Sequence, residues 1–253
     1  MRGVSVITVC RNAEATIGRT IESVSRQTAR GEIEYIVVDG LSGDGTVGIV
    51  RDAETRGKLE GVEVRVVSER DTGIYDAMNK GLRMATGEYV WFVNAGDEIA
   101  EADTVEKMLK GWRGADVLYG DTLIVDDDGR AIGQRRLSPP EELTWRSFRR
   151  GMLVSHQSFV ARRELCPEYD TQYKYSADFD WCVKILKKAG KVANTRMTLS
   201  RFLDGGMTKH HIAEGLKERF RIMTGHYGIV KTVWSHIPIA VKFFWFWITK
   251  GWF

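Results

Sequence analysis

The sequence predicts an α/β fold in which a mostly parallel sheet is flanked by helices. Short apolar segments rich in Val and Ile, typical of buried strands, alternate with segments in which apolar residues recur every three or four positions. Such alternation is the pattern of strand–helix–strand units, which place parallel strands in one sheet. A length of 253 residues with 43% apolar residues is enough for one large domain with a substantial core.

Each element has its own local signature. Ile17, Ile21 and Val24 form an apolar stripe at helical spacing, as does the run Ala77, Leu82 and Ala85. The predicted strands are Val4–Val9, Ile33–Val38, Val62–Val67, Tyr89–Val93 and Asp116–Val125. The predicted helices are Glu14–Gln27, one ending near Arg56, one through Ala85 that Gly87 ends, Glu101–Trp112 and Ala213–Tyr227. Loops rich in Gly and Asp separate them, and residues 126–129 are interpreted as a hairpin turn rather than a metal site.

Several classes of protein do not fit this sequence. The cysteines Cys10, Cys166 and Cys182 are scattered, which is typical of a reduced cytoplasmic protein. The chain enters its first strand almost at once, so we expect no secretion signal. That strand is not followed by the glycines of a dinucleotide-binding fingerprint, so a Rossmann dehydrogenase is not expected. We also expect no nucleic-acid partner.

The charge is uneven along the chain. From Lys209 onward seven basic and two acidic residues give +5, whereas residues 1–208 carry −2 of the total of +3. The uncharged aromatic run near the end, Phe243–Thr249, is far shorter than the 20 or so residues that span a bilayer. This basic aromatic composition favours a helix in the headgroup layer, and thus peripheral attachment to the inner face of the plasma membrane. The alternative is a helix docked on the body or on a second copy, as in a homo-oligomer.

An amide and a carboxylate follow the strand Tyr89–Val93, in the loop Asn94–Asp97. In an open α/β sheet, ligands bind beyond the carboxyl ends of the strands. Amide and carboxylate oxygens suit a hard divalent cation, so this loop is a candidate binding site. The alternative is a solvated turn, because Asn, Gly and Asp are common turn residues.

Four separated blocks give the chain a family resemblance. They are the strand that ends at Asn12 and the segments VVDGLSGDGT (37–46), DTGIYDAMNKG (71–81) and GEYVWFVNAGDE (87–98). Their order resembles inverting GT-A glycosyltransferases of family 2, especially the bacterial polysaccharide and glycolipid subgroup. The resemblance implies a GT-A domain over residues 1–208, with a nucleotide-binding part at about 1–100 and an acceptor part at about 101–208. A helical tail at 209–253 follows it.

The resemblance also implies roles for single residues. The nucleotide-sugar would be bound by Val9, Asn12, Asp39, Asp71, Asp76, Asn79 and Asn94. His156, Gln157 and Asp180 would lie on the acceptor side, and Asp178 matches the position of the catalytic base. Capping and turn roles are the alternative for the Asp and Asn residues, and the helix dipole alone would favour two acids at a helix start.

The candidate metal loop departs from the family's pattern. The D-x-D triplet of the family reads Asn94-Ala95-Gly96 here, and Gly96 has no side chain to offer. Asp97 is therefore the expected ligand of Mn²⁺ or Mg²⁺, directly or through water, because Mg²⁺ often keeps several waters. His210, in a Gly-containing loop at residues 199–211, is the second candidate, with a solvated side chain as its alternative.

The resemblance implies a nucleotide-sugar-dependent hexosyltransferase of bacterial surface-glycan synthesis. One sugar would pass from a nucleoside diphosphate, with UDP favoured over GDP or dTDP, to a lipid-linked or glycolipid acceptor. Arginines between residues 130 and 163 would meet acceptor phosphates or form a solvated face. The alternative is an inactive GT-A-like subunit that binds nucleotide as a scaffold. A sugar nucleotidylyltransferase is disfavoured, because the first strand lacks a Gly-rich basic loop after it.

Overall fold

A computed structural model of the chain describes residues 3–204 and 211–237. The strands are β1 Val4–Cys10, β2 Ile33–Asp39, β3 Glu63–Ser68, β4 Tyr89–Phe92, β5 Glu98–Ile99, β6 Val117–Val125, β7 Ala131–Gln134, β8 Phe159–Arg162 and β9 Val192–Leu203. The helices are α1 Ile17–Ser25, α2 Thr46–Thr55, α3 Ile74–Met84, α4 Thr104–Trp112, α5 Ala177–Lys188 and α6 Ile212–Tyr227. Residues 229–237 are helical as well.

The nine described strands form one sheet that confirms the predicted α/β class. Their order is β3-β2-β1-β4-β8-β6-β9-β5, with β7 paired to β6. The first four strands in this order pair in parallel, as strand–helix–strand units require. The second half is mixed, because β8, β7 and β5 pair antiparallel to their neighbours while β6 and β9 pair in parallel.

Side chains of β1 alternate between two cores, one on each face of the sheet. Ile7 and Val9 pack in a cluster with residues of α3 and α5, whereas Val4 and Val6 pack with α1, α2 and α4. The first cluster is rich in aromatic rings, and Trp181 of α5 lies at its centre. Helices on both faces therefore bury nearly every residue of the central strands and fix where each strand ends.

Two helices begin three residues later than the sequence predicts. Helix α1 starts at Ile17 rather than Glu14, because the backbone N–H groups of Ala13 and Glu14 bond to side chains of the loop after β2. Helix α4 starts at Thr104 rather than Glu101, since the Thr104 hydroxyl accepts a hydrogen bond from the Glu101 N–H at 3.0 Å. In both places a side chain competes successfully with the first helical turn.

The hairpin prediction for residues 126–129 is confirmed. Strands β6 and β7 pair antiparallel, and the Gly129 N–H donates to the Asp126 carbonyl at 2.9 Å. At the chain's end, α6 confirms the predicted helix, whereas residues 238–253 and His210 lie outside the described residues. Within the described ranges, no helix is long and apolar enough to cross a membrane.

Candidate active site

A cavity of about 560 Å³ lies beyond the carboxyl ends of β1 and β4. This is the edge at which open α/β sheets bind their ligands. The end of β1, the loop after β4, the 3₁₀ turn before β8, the start of α5 and the end of β9 all contribute to its wall. The predicted site residues that line it are Val9, Asn12, Asn94, Asp97, His156, Gln157 and Asp178.

A chain of polar contacts joins the two sides of this cavity through His156. Its Nδ1 lies 3.4 Å from Asp178 Oδ2, and its Nε2 lies 3.3 Å from Asn94 Nδ2. The Nδ1 edge of the ring thus faces the carboxylate and the Nε2 edge faces the amide. His156 thus connects the loop after β4 to the first turn of α5.

Asp178 is a partly exposed carboxylate held in its charged form. Burial raises its pKa, but the hydrogen bond and charge of His156 and the charge of Arg219 outweigh burial, so the pKa lies below its ordinary value. The Phe179 N–H also donates to Asp178 Oδ1 at 2.8 Å. The side chain keeps 20% of its surface exposed. Asp178 is therefore ionised at neutral pH and accessible from the cavity.

Tyr75 and Arg219 near Asp178 were not predicted as site residues, and Arg135 was predicted only as one of the arginines that could meet acceptor phosphates. The Tyr75 hydroxyl donates to Asp178 Oδ1 at 3.3 Å from the first turn of α3. Arg135 and Arg219 act electrostatically on one another and on Asp178, and burial lowers the pKa of Arg135. Tyr75 belongs to the block at residues 71–81, where we singled out acids and amides only. Arg135 directly follows β7 and Arg219 lies in α6, so both are far from Asp178 in sequence.

Asp97 lies in the cavity wall but is almost fully buried, with 4% of its surface exposed. Gln157 Nε2 donates to Oδ2 at 3.0 Å, and the Leu203 N–H donates to Oδ1 at 3.2 Å. Burial raises the pKa of Asp97 to about 6, and the Gln157 hydrogen bond acts in the opposite direction. Two of the carboxylate's acceptor positions are used in this way, and others are left for a cation.

Gly96 has a backbone conformation that explains its lack of a side chain. Its φ is +99°, in the region that L-residues rarely adopt, and a Cβ there would lie 2.9 Å from Leu203 Cδ2. The Gly96 N–H donates to the Thr20 hydroxyl at 2.9 Å, which fixes the turn. A side chain at this position would therefore be strained by the backbone and would have to displace the end of Leu203.

Asn94 provides an observation in favour of a cation. Its Oδ1 is buried and has no hydrogen-bond partner among the described residues. An unpartnered buried oxygen is costly unless a ligand satisfies it. Together with Asp97 it offers one amide oxygen and one carboxylate, a donor set suited to Mg²⁺ or Mn²⁺. Among the described residues no cluster of three or more His, Cys, Asp or Glu could hold a metal, so waters and phosphates would have to complete the shell.

Asp39 ends β2 and organises the loop after it. Its carboxylate accepts hydrogen bonds from the hydroxyls of Ser42 and Ser68 and from the Ser42 N–H. Burial raises the pKa of Asp39, but these bonds outweigh it and the pKa lies below its ordinary value. Asn12 closes the same loop by accepting from the Gly43 N–H at 2.9 Å. Asp39 itself does not line the cavity.

Three other residues predicted to bind the nucleotide-sugar have local structural bonds. Asp71 accepts from the Gly73 N–H at 3.0 Å, and Asp76 accepts from the Thr72 N–H at 2.9 Å, as turn and capping residues do. Both ends of the Asn79 amide bond to the Tyr169 backbone. None of the three lines the cavity.

Asp180 faces away from the cavity, although it is only two residues from Asp178. Its carboxylate lies 2.6 Å from both His226 Nε2 and Lys184 Nζ. Residues two apart on a helix point in different directions, and this one ties α5 to α6. The acceptor-side placement of Asp180 is thus not what the structure shows, whereas His156 and Gln157 do line the cavity.

The fold is GT-A-like, as solved transferases show. S. aureus TarS in complex with UDP-GlcNAc superposes with a TM-score of 0.69 at 21% identity, over 93% of this chain and 73% of the TarS chain. The mannosyltransferase PcManGT from Pyrobaculum calidifontis, in complex with GDP-Man and Mn²⁺, gives 0.64 at 19% identity, over 100% of this chain and 77% of its own. This protein spans 64% of the length of the TarS chain that was solved in complex with UDP.

Sequence comparison then identifies the family. The model of "Glycosyl transferase family 2" matches residues 5–169, so the chain belongs to that family and is a glycosyltransferase. An uncharacterized glycosyltransferase of Mycobacterium tuberculosis is 31% identical over 217 residues, which cover 82% of this chain and 77% of the relative. A PGL/p-HBAD biosynthesis glycosyltransferase of Mycobacterium bovis is 31% identical over 189 residues, 71% of this chain and 68% of the relative.

Proposed function

We propose that this chain transfers one sugar from a nucleoside-diphosphate sugar to a lipid-linked or glycolipid acceptor, with inversion, in the synthesis of a bacterial surface glycan. One observation carries the proposal: the ionised Asp178 and the Asn94–Asp97 loop line the same cavity, with His156 between them. The cavity can therefore hold an acceptor hydroxyl against a base and a diphosphate against the loop. An inverting transferase needs these two groups on opposite sides of one anomeric carbon.

In the proposed reaction Asp178 acts as general base. It accepts the proton of the acceptor hydroxyl as that oxygen bonds to the anomeric carbon, while the bond from this carbon to the diphosphate oxygen breaks. Base catalysis of this kind contributes about 10²- to 10⁴-fold. His156 keeps the carboxylate charged and oriented, and Tyr75 donates a second hydrogen bond to it.

Asn94 Oδ1 and the carboxylate of Asp97 would hold a divalent cation. When bound, such a cation neutralises the charge of the departing diphosphate. Support comes from the unpartnered Asn94 oxygen and from the position of Asp97 in the cavity wall. The Mn²⁺ of the mannosyltransferase structure agrees with a metal in a related fold.

Donor and acceptor classes are supported by the relatives and by local charge. The structural neighbours were solved with UDP, UDP-GlcNAc and GDP-Man, and UDP remains the favoured nucleotide. A relative of 31% identity is named for PGL/p-HBAD biosynthesis, which favours a glycolipid acceptor. Arg135 and Arg219 add positive charge near Asp178, where an anionic group of the acceptor could be paired. The tail at residues 209–253 would keep the enzyme at the cytoplasmic face of the membrane.

A thermal-shift panel of UDP, GDP, dTDP and CDP, with and without Mn²⁺ or Mg²⁺, tests the donor and the metal. A ligand at 100 times its Kd stabilises the native state by about 2.7 kcal/mol, or about 5 to 10 °C for a domain of this size. We expect one nucleotide to stand out and its shift to increase with the metal. In Asp97→Asn the metal-dependent increment should disappear, measured against the variant's own ligand-free Tm.

The panel's other outcomes contradict parts of the proposal. A nucleotide that shifts Tm equally with and without metal would leave the transferase in place and remove the cation from its mechanism. Silence with all four nucleotides would contradict the donor class and favour a scaffold subunit. Asp170→Asn, which lies outside the cavity lining, is the matched control and should keep the full metal-dependent increment.

His156→Gln tests how the charge of Asp178 is maintained. Without the imidazole, burial is less opposed and the pKa of Asp178 should rise. Since the base works only when ionised, the acid limb of kcat/KM against pH should move to higher pH, with the largest loss of activity below neutrality. A rate profile from below pH 4 to pH 8 measures this, because the wild-type limb lies below the ordinary pKa of an Asp side chain. An unmoved limb with a lower plateau would show that His156 acts on substrate binding or folding instead.

A further inference from the structure

A second cavity, of about 240 Å³, is lined by Arg146, Arg149, Arg150 and Ser235. It shares no lining residue with the active-site cavity. The three arginines belong to one 3₁₀ segment, Trp145–Arg150, and Ser235 belongs to the helical residues 229–237. We call these four residues the arginine cavity.

The fold turns the apolar side chains of this segment inward and leaves its arginines at the surface. Phe148 is fully buried against Phe179, and Trp145 stacks on Tyr227 with ring centroids 5.3 Å apart. The Tyr227 hydroxyl donates to the Trp145 carbonyl at 2.6 Å. Thr144 and Ser147 cap the start of the segment reciprocally. The arginines are thus presented on a rigid element that is anchored on both sides.

The charge of the arginine cavity is uncompensated. Its lining holds three guanidinium groups and no carboxylate, and none of the three forms an ion pair with another described residue. Arg149 Nε donates only to the Arg146 carbonyl, and Arg146 lies over the Trp145 ring at 5.1 Å. Guanidinium groups present forked donors that match the oxygens of a phosphate. Three of them around one space favour an anion with several oxygens.

The neighbouring helical residues 229–237 expose an apolar stripe away from the body. Thr232 is fully buried and marks the inward side. On the outward side, residues at spacings of one, four, five and eight share one face. They are exposed by 45 to 70%: Ile229, Val230, Val233, Trp234 and Ile237. A helix of a soluble domain normally buries such a stripe, so this one needs a covering partner.

We propose that the arginine cavity binds the phosphate of an anionic lipid headgroup while the apolar stripe lies in the bilayer surface. Positive charge beside an exposed stripe with a Trp is the chemistry of interfacial helices. The stripe is followed in sequence by residues 238–253, which contain Phe and Trp together with Lys242 and Lys250. The occupant is thus a membrane rather than a second protein. This inference rests on the membrane attachment within the proposed function and names its lipid class.

The test is flotation of the full-length protein with vesicles of phosphatidylcholine alone or with 30% phosphatidylglycerol. We expect the wild type to bind the anionic vesicles preferentially. The triple variant Arg146→Gln, Arg149→Gln, Arg150→Gln should lose on the order of 100-fold in apparent affinity, because each basic group near such a surface contributes about fivefold. The matched control Arg51→Gln, Arg56→Gln, Lys58→Gln removes the same charge from around α2 on the other face of the sheet and should bind like the wild type.

Five outcomes would overturn the inference, and they separate it from the proposed function. Equal losses in both triple variants would indicate net charge rather than a site. If the wild type binds both vesicle types equally, membrane attachment is supported but the headgroup site is contradicted. If it binds neither, membrane attachment is contradicted as well. If inorganic phosphate binds to the arginine cavity and the protein shows no preference for anionic vesicles, the ligand of the cavity is a soluble anion. If the wild type is a dimer, and the double variant Val230→Ser, Trp234→Ser is a monomer that still binds vesicles, a second copy covers the stripe. Nucleotide binding in the thermal-shift panel is unaffected by any of these.

Discussion

Asp178→Asn should fold as the wild type does, bind nucleotide as well, and lose sugar transfer by about 10²- to 10⁴-fold. The amide keeps the shape of the side chain and can still accept from the Phe179 N–H, but it cannot take the proton of the acceptor hydroxyl. The measurement is the initial rate of transfer with the donor identified by the thermal-shift panel. Nucleotide affinity and Tm are recorded on the same preparation.

The comparison for this prediction is Asp170→Asn, the same change of side chain on the segment before α5. Asp170 bonds only to Gln172 and the backbone beside it, outside the cavity. We expect its transfer rate to stay close to that of the wild type. Transfer by Asp178→Asn at a rate near the wild type would refute the base assignment.

Trp181→Ala should lower the free energy of unfolding by about 3 to 5 kcal/mol, the usual cost of removing a large buried aromatic side chain. Trp181 is 1% exposed, stacks on Tyr169 at 5.0 Å and packs edge-on against Phe92 and Phe159. Its Nε1–H donates to the Pro167 carbonyl at 2.8 Å. It lies one helical turn from Asp178 and presses α5 against the sheet. Urea denaturation gives the free energy and checks that the slope is unchanged.

Trp234→Ala is the matched control, because the same substitution is made where 70% of the residue is exposed. In the absence of vesicles, it should change the free energy of unfolding by no more than about 0.5 kcal/mol. A loss below about 1 kcal/mol for Trp181→Ala would mean that the core relaxes around the cavity. In that case the aromatic cluster would not be what holds α5 in position.

The fold was predictable because each strand in the parallel half of the sheet has a recognisable local sequence pattern. β1, β2 and β4 are uninterrupted apolar runs, and their burial on both faces follows directly from that. Helix starts were less predictable. Glu14 and Glu101 are residues that fit a first helical turn, but the Glu14 N–H bonds to the distant Asp44 side chain and the Glu101 N–H to the nearby Thr104 hydroxyl. The antiparallel strand β8, four residues long, has no pattern that distinguishes it from a loop.

The cavity residues were predictable where they follow strands or match the family's motifs, as Asn94 and His156 do. The resemblance matched Asp178, and not Asp180, to the base position, and in the structure Asp178 lines the cavity whereas Asp180 faces α6. Tyr75 and Arg219 reach the carboxylate through tertiary contacts alone, which no local pattern contains. Asn79 shows the opposite case, in which a motif residue is used up by two bonds to a backbone segment 90 residues away.

The turn at Gly96 has an evolutionary consequence. An acid at this position would be strained, because the new side chain would meet both a positive φ and the end of Leu203. A smaller residue at 203 would remove the second of these obstacles. Positions 96 and 203 are therefore expected to covary. Asp97 is the acidic residue next to this turn, and its place in the cavity wall then depends on the shape of its neighbours as much as on its own chemistry.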